Sequence, residues 1–413
     1  METDRTGRGV LSEPAAAIAS RAVRGADAIT RSPAALAPKA NFPATRKSPY
    51  FNAAQKYPIS LDCAATLKAY SDAGLLHANG GVLEQFGQVD VLAASKFANL
   101  INADPQEIAY APSTTAAENM ILAAVGLPQP GKNIVTDVLH YDGSNYLYDS
   151  LSAAGYDIRR APQRGGAIDY AELERLIDED TALVAVSLVS FANGFQHDLP
   201  ALCKIAHAKG ALVYADIIQA VGAVPVDVKA SGVDFCAAGT HKWLMGDKGV
   251  AFLYARAGLV QEGRIARRQF GRKQIASGEL EIFGSQDSQH GNYSVVPGAA
   301  GVFEVGNLPM APIVCVDRSI GQVTKIGVPA IAEHASAVAD RLRSELPKLG
   351  YSSLSPRSAP GHISAFAVSD KAETARRLNA AGIQVRMLQN FMRISVGVYN
   401  DLDDVENLFR ALS

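Results

Sequence analysis

Cysteine is scarce in this 413-residue chain. The four present, Cys63, Cys203, Cys236 and Cys315, form no CxxC pair and no metal-ligand spacing. That argues against a disulfide framework or a sequence-coded zinc site, and the histidines are too dispersed to argue for a metal. It leaves them as small core residues in a reducing compartment, so a cytoplasmic location is expected. No run of eighteen apolar residues occurs, and no membrane span is expected. Charge of one sign is also lacking. The formal net charge is −2 and there is no long basic block, so no nucleic-acid partner is expected. No GxGxxG follows a strand-like run and no Walker-type loop is present, which leaves nicotinamide and nucleoside-triphosphate chemistry without support. No GxSxG elbow occurs, so an α/β hydrolase is a weak reading.

What is there suits a globular enzyme. Hydrophobic residues make up 48% and charged residues 19%. The length suits two packed domains. Residues 1–47, rich in Ala, Arg, Ser and Pro, read as a flexible extension. They loosely suit a transit peptide, and better a mobile tail or an arm across a partner subunit. Residues 48–305 read as a large domain and 306–413 as a smaller C-terminal α+β domain. Apolar runs at Ile134–Leu139, Leu183–Val189, Ala211–Ala215 and Val250–Tyr254 alternate with helical patterns such as Leu199–Ala208. This alternation predicts an α/β fold with a mostly parallel sheet. Beyond it come a helix over about Val328–Leu349 and strands near His362–Val368 and Phe391–Val398. A last helix is capped by Asn400 or Asp401.

Parallel sheets bind ligands at the carboxyl ends of their strands. Two groups stand there in the stretch Ala211–Arg256. The run Ala211–Ala215 ends in Asp216, with Gln219 three residues on. The run Val233–Ala238 ends in Gly239-Thr240-His241-Lys242. Singly, such an Asp is more often a helix cap and such a Lys more often points to water. Together they suit a pyridine cofactor. A carboxylate keeps the ring nitrogen protonated, and a lysine amine forms the imine that substrate displaces.

This stretch resembles the cofactor-binding core of the class V aminotransferase family, of the type I fold of pyridoxal-phosphate enzymes. The HKW tripeptide and GVAFLY are closest to the isopenicillin N epimerase-like and kynureninase-like branches. The resemblance covers residues 57–413. It implies pyridoxal 5'-phosphate as cofactor, Lys242 as the Schiff-base lysine, Asp216 as the pyridinium partner and Gln219 as a donor to the ring hydroxyl. Thr240 and His241 would lie with the cofactor, His241 beside its phosphate. SLDCAAT, Ser60–Thr66, is similar to the family's LDNAAT-type strand. PSTTAAENMILAA resembles its Ser-Thr-Thr turn opening a helix, where Ser113, Thr114 and Thr115 favour a phosphate, or simply cap the helix. In LHYDGSNYLY the ring-stacking residue is expected to be Tyr141, with His140 second. SFANG places Asn193 toward cofactor or substrate. FEVGN resembles the family's FE-x-GT piece, with Asn307 where the family has a Thr that meets the other subunit's phosphate. In MRISVGVYN, period two puts Ile394, Val396 and Val398 on one face and Arg393 on the other, where the family binds the substrate carboxylate.

The resemblance therefore implies an enzyme that condenses its cofactor with a small amino acid and reacts at the α-carbon, built as a homodimer. Aminotransferase comes first, because it needs no additional group. A β-eliminating C–S lyase comes second and a racemase or epimerase third. A cysteine-persulfide mechanism is not expected, because the segment Gly382–Phe391 before Arg393 holds no cysteine. The rival from another class is a non-enzymatic binding subunit, against which the intact Asp216, Gln219 and Lys242 argue. The basic cluster Arg264, Arg267, Arg268, Arg272 and Lys273 reads as a solvated loop.

Overall fold

The computed structural model describes residues 34–269, 275–277 and 294–413. Most of the proposed extension therefore lies outside the described residues, as do Arg272 and Lys273. Within residues 34–47, Ala37, Phe42 and Thr45 are buried and most of the others are exposed. Ala37 N–H donates to Val398 O, and Phe42 is buried against Tyr57 and Tyr399.

Among the described residues, two short 3-10 turns (Lys39–Asn41 and Pro43–Thr45) precede the first α-helices, α1 (Leu61–Phe86) and α2 (Val89–Leu100). The expected strand at Ser60–Thr66 is thus a helix. Its Ala-rich composition favours helix, and Ser60 Oγ accepts the Cys63 N–H in the manner of an N-cap. Then follow β1 (Ile108–Ala111), α3 (Thr114–Ala124), β2 (Asn133–Asp137), α4 (Asp142–Ala153) and β3 (Asp157–Ala161). A small hairpin, β4 (Gln163–Arg164) with β5 (Ala167–Ile168), precedes α5 (Tyr170–Leu176). The alternation continues through β6 (Thr181–Ser187), α6 (Leu199–His207), β7 (Leu212–Asp216), α7 (Val228–Ser231), β8 (Phe235–Gly239) and β9 (Ala251–Ala255). A two-stranded pair, β10 (Ile275–Ser277) and β11 (Ser294–Val295), and α8 (Ala300–Phe303) lead to the long helices α9 (Met310–Ile326) and α10 (Val328–Glu345). The chain closes with β12 (Ile363–Ala367), α11 (Lys371–Ala380), β13 (Arg386–Met387), β14 (Phe391–Ser395) and α12 (Leu402–Leu412).

Seven strands form the central sheet in the order β1-β9-β8-β7-β6-β2-β3. Only β9 runs against its neighbours, so the sheet is mostly parallel, as the alternation implies. Its inner strands are buried on both faces. Val184, Val186, Val213 and Ala215 enter one core, and Leu183, Ala185, Leu212 and Tyr214 enter the other. That two-sided burial is why these strands read as continuous apolar runs. A third core holds the antiparallel sheet β12-β14-β13 against α10 and α12, with Ile394 and Val396 inside. The helix expected over Val328–Leu349 is α-helical only to Glu345. Pro347, which has no N–H to give, stands in the tighter turn that follows. Asp401 caps α12 and forms a capping box with Asp404.

Candidate active site

A cavity of about 410 Å³ opens at the carboxyl ends of the central strands. Thr114, Thr115, Tyr141, Asp216, Gln219, His241, Lys242 and Arg393 all line it. Its volume lies in the range of small-molecule sites.

Asp216 is the last residue of β7, and its side chain is carried below the surface by the strand. One carboxylate oxygen accepts the Ile218 N–H at 2.9 Å. Burial pushes this carboxyl up to about 6, while the His140 ring and the Lys242 ammonium oppose the rise. Lys242 follows β8 by three residues. Burial pushes its amine down to about 8, against the pull of Asp216. No hydrogen bond or ion pair holds its Nζ among the described residues, and the Tyr141 ring centroid lies 5.9 Å away. His241, beside it, is pushed down to about 4 by burial and by Lys242, Lys248 and Lys56, so its imidazole is neutral near pH 7.

Gln219 is oriented from two sides. Its Oε1 accepts the Trp243 Nε1–H at 2.8 Å, which fixes the amide's sense, and its Nε2 donates to Ala54 O at 3.0 Å. The second N–H of Nε2 has no bond among the described residues. At the start of α3, Ser113 caps the helix by accepting the Ala116 N–H. Thr114 Oγ1 accepts the Gly239 N–H at 2.8 Å, which pins the end of β8 to this helix. Its hydroxyl proton is left to donate elsewhere.

Arg393 enters from β14. It is 4% exposed, yet no carboxylate comes within ion-pair distance among the described residues. Nη1 donates to Phe191 O at 2.9 Å, Nη2 reaches Asn52 Oδ1 at 3.5 Å, and Nε is buried without a partner. Burial and the neighbouring Arg386 push the guanidinium down to about 10. A buried cation of this kind is costly unless an anion arrives.

Three expected residues stand apart from the cavity wall. Asn193 is buried, and its Nδ2 ties Gly166 O (2.7 Å) to Leu354 O (3.3 Å). Thr240 Oγ1 donates to Asp247 O and so closes the turn after β8. Asn307 is exposed in the loop after α8. Of the two aromatic candidates, Tyr141 lines the cavity. His140 lies beneath it, bonded to Ser187 and Glu118. Sequence reading missed Gln55, Asp142, Phe191, Arg386 and Leu388, which line the wall together with Ala54 and Ile218. Of these, Arg386 is brought in by its strand, which pairs it directly with Arg393 across the small sheet.

A buried carboxylate, an unpaired amine, an amide with a fixed sense and a helix start bearing hydroxyls fit a phosphorylated pyridine aldehyde. The unpartnered guanidinium fits the carboxylate of its substrate.

A family model described as Aminotransferase class-V matches residues 82–408. Among curated proteins, an uncharacterized aminotransferase, YcbU of Bacillus subtilis, is 28% identical over 320 residues, 76% of this chain and 80% of its own. A probable cysteine desulfurase of Methanothermobacter thermautotrophicus is 30% identical over 254 residues, 61% of this chain and 60% of its own. Among solved structures, the cysteine desulfurase CsdA of Escherichia coli superposes with a TM-score of 0.77 at 22% identity, covering 91% of this chain and 96% of that one. A C-DES mutant with glycine covalently linked to its PLP cofactor also gives 0.77, at 18% identity, covering 91% and 99%. These likenesses show the type I fold.

Proposed function

The chain belongs to the class V aminotransferase family of pyridoxal-phosphate-dependent enzymes, and we propose that it is an aminotransferase acting on a small amino acid. The observation that carries this reading is the convergence of Lys242, Asp216 and the unpaired Arg393 on one cavity whose wall contains no cysteine.

Bound pyridoxal phosphate supplies an electron-accepting ring that stabilises negative charge at the substrate's α-carbon. The start of α3, with Thr114 and Thr115, receives the phosphate, because free N–H groups and the helix dipole favour an anion there. Asp216 holds a proton on the ring nitrogen. Gln219 offers its remaining amide N–H to the ring hydroxyl, with its sense set by Trp243. Tyr141, on the cavity wall, would stack on the ring. Arg393 binds the substrate carboxylate with a planar fork and so fixes which α-carbon bond is aligned for cleavage. Lys242 is the base. With its amine lowered to about 8, a useful fraction is neutral at physiological pH and takes the α-proton. Transamination would call on no proton-transfer group beyond this amine.

The second reading is a C–S lyase. Its support is that several relatives bear the name cysteine desulfurase. Elimination of a β-substituent also needs no thiol from the protein. All four cysteines are buried outside the cavity wall, which supports a mechanism without a persulfide on the enzyme. A racemase or epimerase is third, returning the proton to the opposite face of the α-carbon. We place Asn307 toward a second subunit, in a homodimer. Exposed Leu75 and Leu76 on α1 offer apolar surface for such a contact.

The test is a panel of amino acids given to the loaded enzyme, with keto acid, pyruvate, sulfide and D-amino acid measured separately. Keto acid formed in step with amination of the cofactor is expected. Pyruvate with sulfide from cysteine would replace the first reading by the second.

A further inference from the structure

Behind the cavity wall lies a buried ionic network that the chemistry above does not use. Glu118, on α3, is 1% exposed. Its carboxylate accepts the Tyr148 hydroxyl at 2.7 Å, the Ser144 hydroxyl, and His140 Nε2 at 3.2 Å. The other His140 ring nitrogen meets Ser187 Oγ at 2.8 Å, and that oxygen also accepts the Tyr141 N–H at 3.2 Å. Ser187 closes β6 directly beside Asp216 in the parallel register with β7. The network therefore runs from α3 through His140 to the strand end that carries the ring-facing carboxylate, and it supports the backbone of Tyr141 on the way.

Charge decides what this network does. Three donors converge on Glu118, and a carboxylate so served is held in its ionised form. A buried anion needs a cation, and His140 is the ionisable partner in contact with it. Glu118, Asp137 and Asp216 all favour the imidazolium, and together they outweigh the burial that opposes it. The groups facing His140 are Glu118 from α3, Tyr148 from α4, Asp137 from β2, Ser187 from β6, and Tyr214 and Asp216 from β7. Those acting on or with Asp216 are His140, Lys242, Glu118, Tyr141, Tyr214 and Cys236.

We propose that Glu118 is a positioning residue that keeps His140 protonated, and that the His140 cation in turn keeps Asp216 ionised toward the cofactor's ring nitrogen. The order of effects supports the sign. Among the charges around Asp216, His140 is the strongest influence favouring ionisation, ahead of Lys242, and the direct repulsion from Glu118 is the weakest. Removing the Glu118 charge thus removes a small repulsion and a larger attraction.

The inference rests on Asp216 as the ring-nitrogen partner. The first test needs no substitution. In nitrogen-15 spectra of the native holoenzyme, His140 should lose its second ring proton only at a pH above that of a free imidazole; loss at or below that pH overturns the proposal. The second follows cofactor release from the holoenzyme between pH 6 and 9. Glu118→Gln and His140→Gln should each hold cofactor about tenfold more weakly at pH 7, with the loss vanishing toward pH 9 as Asp216 ionises unaided. The double variant should be no worse than His140→Gln alone. A pH-independent loss, or additive losses, would make the pair a packing feature and overturn the proposal. If Asp216→Asn leaves cofactor affinity and spectrum unchanged, the underlying reading of Asp216 has failed instead.

Discussion

Replacing Asp216 by Asn should make the protein more stable and the enzyme far slower. The carboxyl is raised by burial from 3.8 to about 6, so the folded chain holds this proton more tightly than the unfolded chain does. Its contribution to stability is then fully present below about pH 4 and is lost as pH rises through about 6. That loss amounts to roughly 3 kcal/mol at most for a difference of about two pH units. Asparagine keeps the acceptor that receives the Ile218 N–H and carries no charge to bury. The gain is reduced because the carboxylate also supports the Lys242 ammonium. We expect cofactor-stripped Asp216→Asn to melt a few degrees above the parent at pH 7.5, with the difference closing toward pH 4. With cofactor restored, exchange of the substrate α-proton into heavy water should fall by several powers of ten, since an amide cannot hold the ring proton. Proton NMR reads the exchange and calorimetry reads the melts. A variant that exchanges at the parent rate would remove Asp216 from the chemistry. One whose melting difference ignores pH would show that burial does not strain this carboxylate.

Arg393→Lys should raise KM and lower kcat together at pH 7, by about tenfold or more in kcat/KM, because one fork of charged hydrogen bonds is lost. A lysine starts about two pH units below arginine, and here Arg393 is already pushed down to about 10. The variant's KM should therefore climb between pH 7 and 9 while the parent's stays flat. Unchanged kinetics at both pH values, or loss of the cofactor band, would contradict the assignment. Lys242→Ala should fold but lose covalent attachment of cofactor, and borohydride reduction with peptide mapping of the parent should label Lys242 and no other lysine. Replacing Cys63, Cys203, Cys236 or Cys315 singly by Ala or Ser should leave turnover intact apart from stability losses. A folded, loaded variant without activity would bring back a thiol mechanism.

What could be read without coordinates was the part written along the chain. Asp216 and Lys242 were visible because a parallel strand buried on both faces reads as an apolar run, and a charged residue at its end stands out. Arg393 was visible by alternation with Ile394 and Val396. Ser60–Thr66 misled because a likeness to a strand motif was set above local preference, where the alanines and the Ser60 cap decide for helix. Asn193 and Thr240 sit in motif positions, but a motif does not tell which polar atoms the backbone has already engaged. The amide of one holds Gly166 and Leu354 together, and the hydroxyl of the other closes a turn. Arg386 stayed hidden because its strand is two residues long, too short to show a period.

The Glu118 network was hidden for a different reason, and that reason bears on how such a site works. On α3 a lone glutamate among Ala, Asn, Met and Ile looks like a solvated helix residue. It becomes the anchor of a buried cation only because Ser144 and Tyr148, four residues apart on α4, present two hydroxyls to it from one helix face. Each charge around the cavity is unfavourable by itself: Asp216 is raised, Lys242 and Arg393 are lowered, all chiefly by burial. A protein that buries three such groups is under-compensated unless something anionic and something protonatable enter the cavity between them. An amino acid brings the anion for Arg393, and a pyridine ring brings the nitrogen whose proton Asp216 can share. The cost of burying these charges is therefore offset when such partners bind in the cavity. Titration of pyridoxal phosphate into stripped protein should accordingly raise the parent's melting point by more than it raises that of Asp216→Asn, although the variant starts higher. Equal increments in the two proteins would show that the carboxylate and the ring do not meet.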